Sequence, residues 1–128
     1  MKIVIINGPN LNLLGKREPA IYGTRSMEQV LVDIQRAHMD IHLTYLQSNH
    51  EGDLIDWIQK HGCASLEKEV DGIVLNAGGY THTSVALRDA VACAQVPVVE
   101  VHISDISQRE EFRRTSLLTD VCAHSIIG

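Results

Sequence analysis

The residues of this chain best suited to moving a proton or holding an anion are Tyr22 with Arg17, His102 with Glu100, and the pair Arg109 and Arg113. Glu100-Val101-His102 alternates along an apolar run, which points Glu100 and His102 to the same side of a strand. A carboxylate in that position can fix the imidazole tautomer and raise its basicity. Tyr22 lies in Glu18-Pro19-Ala20-Ile21-Tyr22-Gly23, close behind Arg17. A guanidinium within about 4 to 6 Å favours phenolate over phenol, and lowering a phenol pKa of about 10 by two units takes roughly 2.7 kcal/mol. Arg109 and Arg113, four residues apart on an expected helix, share a face and suit a carboxylate bound through paired hydrogen bonds. Each group also has a plainer reading: an apolar anchor for Tyr22, an ordinary turn residue for His102, a solvated helix face for the arginines.

Other chemistries fit less well. The turn after the first apolar run reads Asn7-Gly8-Pro9-Asn10, without the glycine pattern of a dinucleotide or nucleoside-triphosphate loop. A phosphoacceptor site built around a hard cation wants acidic residues where this chain has Asn7 and Asn76. The histidines show no HxxxH or Cys/His spacing, so no metal is expected. The net charge of -5 disfavours a general nucleic-acid surface. Cys63, Cys93 and Cys122 form no CxxC pair and read as packed free thiols of a reducing cytoplasm. No apolar stretch approaches the roughly 18 residues that cross a bilayer, and the start carries no mark of export.

The elements that must position these residues are legible from apolar periodicity. Runs at Ile3–Ile6, Ile41–Leu46, Gly72–Leu75, Val96–Val101 and Val121–Ile126 are rich in Val and Ile and mostly lack polar alternation, as strands buried on both faces do. Between them, Met27, Val30, Leu31, Ile34 and Ala37 repeat at helical spacing, with Ser26 and Gln29 as a capping box. Further helices are expected after Ser48-x-x-Glu51, over Val85 to Ala94, and from Ser107-x-x-Glu110. The alternation predicts one domain over residues 1–128, an α/β doubly wound sheet of five parallel strands in the flavodoxin-like order 2-1-3-4-5. Ligands of such sheets bind beyond the carboxyl ends of the strands. The segments there are Asn7 to Gly23, Gln47 to Gly52, Asn76 to Ser84 and His102 to Ser104, which carry most of the chemistry-bearing residues. The connection from about residue 10 to 25 is long for a βα loop and is read as an active-site lid hinged on glycines. The last run stops at Gly128 with no helix after it, leaving one flank of the sheet short of cover, so that either a partner subunit covers it or the chain is truncated.

The stretches Asn7 to Gly23, Gln47 to Asp56, Asn76 to Asp89 and Glu100 to Ser104 together resemble type II 3-dehydroquinate dehydratase along essentially the whole chain. The resemblance implies reversible dehydration of 3-dehydroquinate to 3-dehydroshikimate in the shikimate pathway, without metal or organic cofactor. It implies Tyr22 as base, Arg17 as the group lowering its pKa, His102 as acid, and Asn10 as a stabiliser of the enolate through a water molecule. It further assigns Asn76, His82, Ile103, Ser104 and Arg113 to the substrate's hydroxyls and carboxylate. It also implies that Asp89 reaches the neighbouring subunit's site in a dodecamer, a tetramer of trimers, expected in the cytoplasm. No lysine falls at a strand end of the core segments, apart from Lys16 in the lid, so a Schiff-base route is unsupported. Two departures stand out: Asp105 where the family usually has Asn, and the missing C-terminal helix. Two rivals are a hydrolase using Ser104, which lacks a GxSxG elbow, and a noncatalytic carboxylate-binding module of the same fold.

Overall fold

Five short strands rich in branched residues stack side by side because their backbones pair while both faces shed water. The computed structural model describes residues 1–16, 20, 25–63 and 70–128. The expectations for Arg17 and Tyr22, and for the part of the lid at residues 17–19 and 21–24, lie outside the described residues. The strands are β1 (Lys2–Asn7), β2 (His42–Gln47), β3 (Gly72–Asn76), β4 (Val98–His102) and β5 (His124–Ile127), in the order β2-β1-β3-β4-β5, all parallel. Order and direction agree with the sequence expectation, and they place the reversal between β1 and β3.

The two faces differ. Val4 and Ile6 of β1, Ile73 and Leu75 of β3, and Val98 of β4 point into one core with Leu54 and Ile58 of α2 (Glu51–Ile58) and Leu87 and Val91 of α3 (Val85–Cys93). On the other side lies α1 (Met27–Ala37), capped by the expected box: Ser26 accepts from the Gln29 amide, and the Gln29 side chain accepts from Ser26. None of its residues is buried. Between it and Ile5, Val74 and Val101 stands a mostly apolar cavity of about 650 Å³.

Three local expectations are corrected. Ser48 and Glu51 form no capping box, because the Ser48 hydroxyl donates to Asp53 at 2.6 Å and accepts from the His50 amide, leaving His50 as the N-cap of α2 without a side-chain capping bond. Ser84 does cap α3, accepting from the Leu87 amide at 2.9 Å. The polar helix expected from Ser107 does not form. The chain makes two separate turns, Ile106–Gln108 and Glu111–Arg113, joined by extended Arg109 and Glu110. Asp105 accepts from both the amide and the hydroxyl of Ser107, and such local side-chain bonds compete with helix propagation. Finally β5 begins at His124, since Thr119–Val121 closes a turn.

At the carboxyl edge β1 and β3 come into backbone contact. The Gly8 amide donates to the Asn76 carbonyl at 2.7 Å, and a Cβ on Gly8 would stand 2.5 Å from the Ala77 carbonyl oxygen. Only glycine permits this approach. Gly8→Ala should lower stability by about 1–3 kcal/mol, the usual size of an overpacking strain. The urea midpoint checks it, and an unshifted midpoint would show that the two loops part freely.

Candidate active site

The edge of β1, β3 and β4 closes around a pocket of about 170 Å³ whose wall includes Asn10, Asn76, His82, His102, Ile103, Ser104, Arg109 and Arg113. Among the described residues no carboxylate lines it, whereas two guanidiniums and two imidazoles do, so the pocket suits an anion bearing hydroxyl groups.

The loop after β1 is held by its neighbours. Asn10 adopts φ 69°, a left-handed conformation that asparagine tolerates better than most residues. Its amide donates to the Asn49 side chain at 3.0 Å. Gln47 donates to the Gly8 carbonyl and to Asn49, and the Tyr80 hydroxyl donates to the Asn49 carbonyl at 3.1 Å. The ends of β1, β2 and β3 are thus tied around one asparagine. After β3, Asn76 accepts from the Gly78 amide at 3.2 Å, opening the turn Gly78–His82. Gly78 sits at φ 60°, against the Pro9 carbonyl. His82 Nδ1 lies 2.8 Å from the Thr115 carbonyl, an acceptor only, so Nδ1 carries the hydrogen and Nε2 is the free nitrogen.

Arg109 and Arg113 meet at the pocket although no helix carries them. Arg109 donates to the Ser104 hydroxyl at 3.2 Å, and Arg113 Nε stands 2.8 Å from Glu110, with its guanidinium 5.0 Å from the centre of the exposed Phe112 ring. Glu110 is held below its ordinary value by its own backbone amide and by both arginines. The resemblance assigns the carboxylate to Arg113 alone, whereas the residue spacing pairs it with Arg109, and the pocket includes both. Their four-residue spacing was the available signal.

His102 and Glu100 are both buried, and His102 Nε2 stands 2.9 Å from Glu100 Oε2, an ion-pair contact short of ideal hydrogen-bond alignment. Poor alignment is common in sites without substrate. Glu100 accepts from Ser116 at 2.6 Å, from Ser125 at 2.9 Å and from Thr119. Nothing in the sequence marked these hydroxyls, because they come from a turn and a strand far along the chain. Asp89 is exposed on α3 beside Ile55, Gln59, Cys63 and Cys93, away from this chain's own pocket. Asp105 faces Ser107 rather than the pocket wall. Among the described residues no group of three His, Cys, Asp or Glu could hold a metal ion, and no helix is long and apolar enough to cross a membrane.

The family model described as "Dehydroquinase class II" matches residues 1–128. The chain is 51% identical over 129 residues to the 3-dehydroquinate dehydratase of Exiguobacterium sp. (strain ATCC BAA-1283 / AT1b), covering 100% of this chain and 85% of that protein. It is 49% identical over 130 residues to a Campylobacter jejuni protein of the same name, covering 100% of this chain and 79% of that one. The crystal structure of type II dehydroquinase from Butyrivibrio crossotus DSM 2876 superposes with a TM-score of 0.91 at 46% identity, covering 100% of this chain and 88% of that chain.

Glu100 provides a measurable signature of the site. Burial pushes its pKa up, but His102, Ser116, Thr119 and Ser125 together outweigh burial and hold it at about 2, against 4.5 for the free side chain. The unfolded chain therefore binds this proton more readily than the folded one. The stabilisation is complete above pH 4.5 and is lost as pH falls from there toward 2. That difference is worth on the order of 3 kcal/mol. Urea unfolding of Glu100→Gln should show a much flatter pH dependence across that window. An equal slope in variant and wild type would assign the acid sensitivity to other groups.

Proposed function

The chain belongs to the class II dehydroquinase family, and from that premise we propose that it is a hydro-lyase converting 3-dehydroquinate reversibly to 3-dehydroshikimate in the shikimate pathway. The observation that carries the proposal is the pocket, whose wall holds His102, backed by buried Glu100, together with two arginines and, among the described residues, no carboxylate. A substrate with one carboxylate, several hydroxyls and a ketone matches that lining. The names of the relatives point to the same substrate.

The proposed reaction is an anti elimination. Tyr22, as phenolate beside Arg17, takes the proton next to the ketone, and the electron pair passes to the carbonyl oxygen as an enolate. Asn10, acting through a water molecule, offers a hydrogen bond to that oxygen as its charge develops. The enolate then collapses and expels the hydroxyl, which leaves as water with the proton delivered by His102. Asn76, His82, Ile103 and Ser104 position the hydroxyls and carboxylate, and Arg113 clamps the carboxylate with Arg109 beside it. The segment of residues 10–25 serves as the lid that excludes water. The single domain of residues 1–128 is proposed to work in the cytoplasm as a dodecamer in which Asp89 reaches a neighbouring site.

Mixing the protein with 3-dehydroquinate should produce the ultraviolet absorbance of a conjugated enone. Tyr22→Phe should abolish that turnover while substrate still binds, and His102→Ala should slow it by at least about two orders of magnitude. Wild-type turnover in either variant would remove that residue from the mechanism. Arg113→Ala should chiefly raise KM, and unchanged binding would end its carboxylate role. Sedimentation and light scattering test the assembly: a stable monomer with full activity would refute the role given to Asp89.

A further inference from the structure

Glu100 is enclosed by donors from three separate places in the chain, and their arrangement is directional. Oε1 accepts from Thr119 and from Ser125, the residue paired with Glu100 in the register between β4 and β5. Oε2 accepts from Ser116, and its remaining side faces His102 Nε2 at 2.9 Å. Each hydroxyl has a single hydrogen, and each gives it to this carboxylate. Ser116 is further fixed because its oxygen accepts from the Leu118 amide at 3.1 Å. All three donors are neutral, so among the described residues the group in contact with the carboxylate able to compensate its charge is the imidazole.

The other ionisable groups around the pair do not compete. Cys122 lies near Glu100, but burial first, with Glu100 and Asp120 adding to it, pushes its thiol up to about 12, so it stays neutral. Asp120 is engaged by Arg88. Arg109, Arg113 and His82 share the pocket wall with His102 and are held by Ser104, Glu110 and Thr115 respectively.

We propose that Ser116, Thr119 and Ser125 are positioning residues that hold the Glu100 carboxylate in the one orientation that engages Nε2 of His102, so that the hydrogen this imidazolium releases is the one on Nδ1. The proposal deepens the reading of His102 as the acid and rests on it. Proton balance is simple: the imidazolium loses the Nδ1 hydrogen to the departing hydroxyl, keeps the Nε2 hydrogen toward Glu100, and ends as the neutral Nε2–H tautomer. Without the hydroxyls the carboxylate turns, neither ring nitrogen is preferred, and part of the population presents the wrong hydrogen. The far end of the chain, through Thr119 and Ser125, would thereby govern the acid's tautomer.

Nitrogen-15 spectra of the histidine-labelled, substrate-free protein test this directly. Wild type should show neutral His102 as the Nε2–H tautomer. Thr119→Val combined with Ser125→Ala should give a mixture of tautomers and at least about a tenfold loss of kcat with KM little changed, since loss of the orienting carboxylate in comparable sites costs far more. Thr119→Ser and Ser125→Thr, which keep the hydroxyls, should retain both the spectrum and the rate. A folded double variant with the wild-type tautomer would overturn the proposal. Should that variant fail to fold, Ser125→Ala alone, on the terminal edge strand, must show the same mixing in part, and an unchanged spectrum there would overturn it equally. Normal turnover in His102→Ala would instead defeat the acid assignment, a result separable from the spectra because these are recorded without substrate.

Discussion

A carboxylate taken out of water is the interaction on which the site depends. Glu100 is almost wholly buried in the middle of β4, where an unpaired charge would cost several kcal/mol, and four contacts offset that cost. Those contacts come from the segment after the arginine turns, from the turn before β5, from β5 itself and from His102. One anion therefore links the last strand of the sheet to the imidazole at the pocket. The final quarter of the chain closes the core through Leu118, and it also sets the surroundings of the candidate acid.

The pocket's location follows from the sheet. Parallel strands bring their carboxyl ends to one edge, so residues far apart in sequence, such as Asn10, Asn76 and His102, become neighbours without any long-range sequence signal. The backbone contact of Gly8 with Asn76 and Ala77 holds two of these ends at a distance no larger residue would allow. The hydrogen bonds around Asn49 add the third strand. Rigidity is thus placed directly beneath the groups that face the ligand, where small displacements matter most to catalysis.

The two cavities divide by chemistry as well as by face. The larger one, under α1, is walled mainly by Ile, Val and Leu and carries few groups able to react. The smaller one holds the arginines and histidines. They meet at Asn76 and Ile103, which line both. The apolar stripe of α1, conspicuous in the sequence, is less deeply packed than its regularity suggests, none of its residues being buried.

Much of this protein could be read from its residues alone. Branched apolar runs separated by helical spacing specify a parallel sheet, because such runs lose water only when covered on both sides, and the Glu100–His102 pairing follows from strand alternation. The same logic misjudged residues 107–114, where Asp105 engages Ser107 and turns replace a helix, although Arg109 and Arg113 still converge on the pocket. Ser48 likewise bonds to Asp53 rather than closing a box with Glu51. What tertiary structure alone decided is the set of partners brought from a distance: Thr115 on His82 and the three hydroxyls on Glu100. Periodicity reports which side of an element loses water, but a hydrogen bond between residues 16 to 33 positions apart depends on how the finished layers meet.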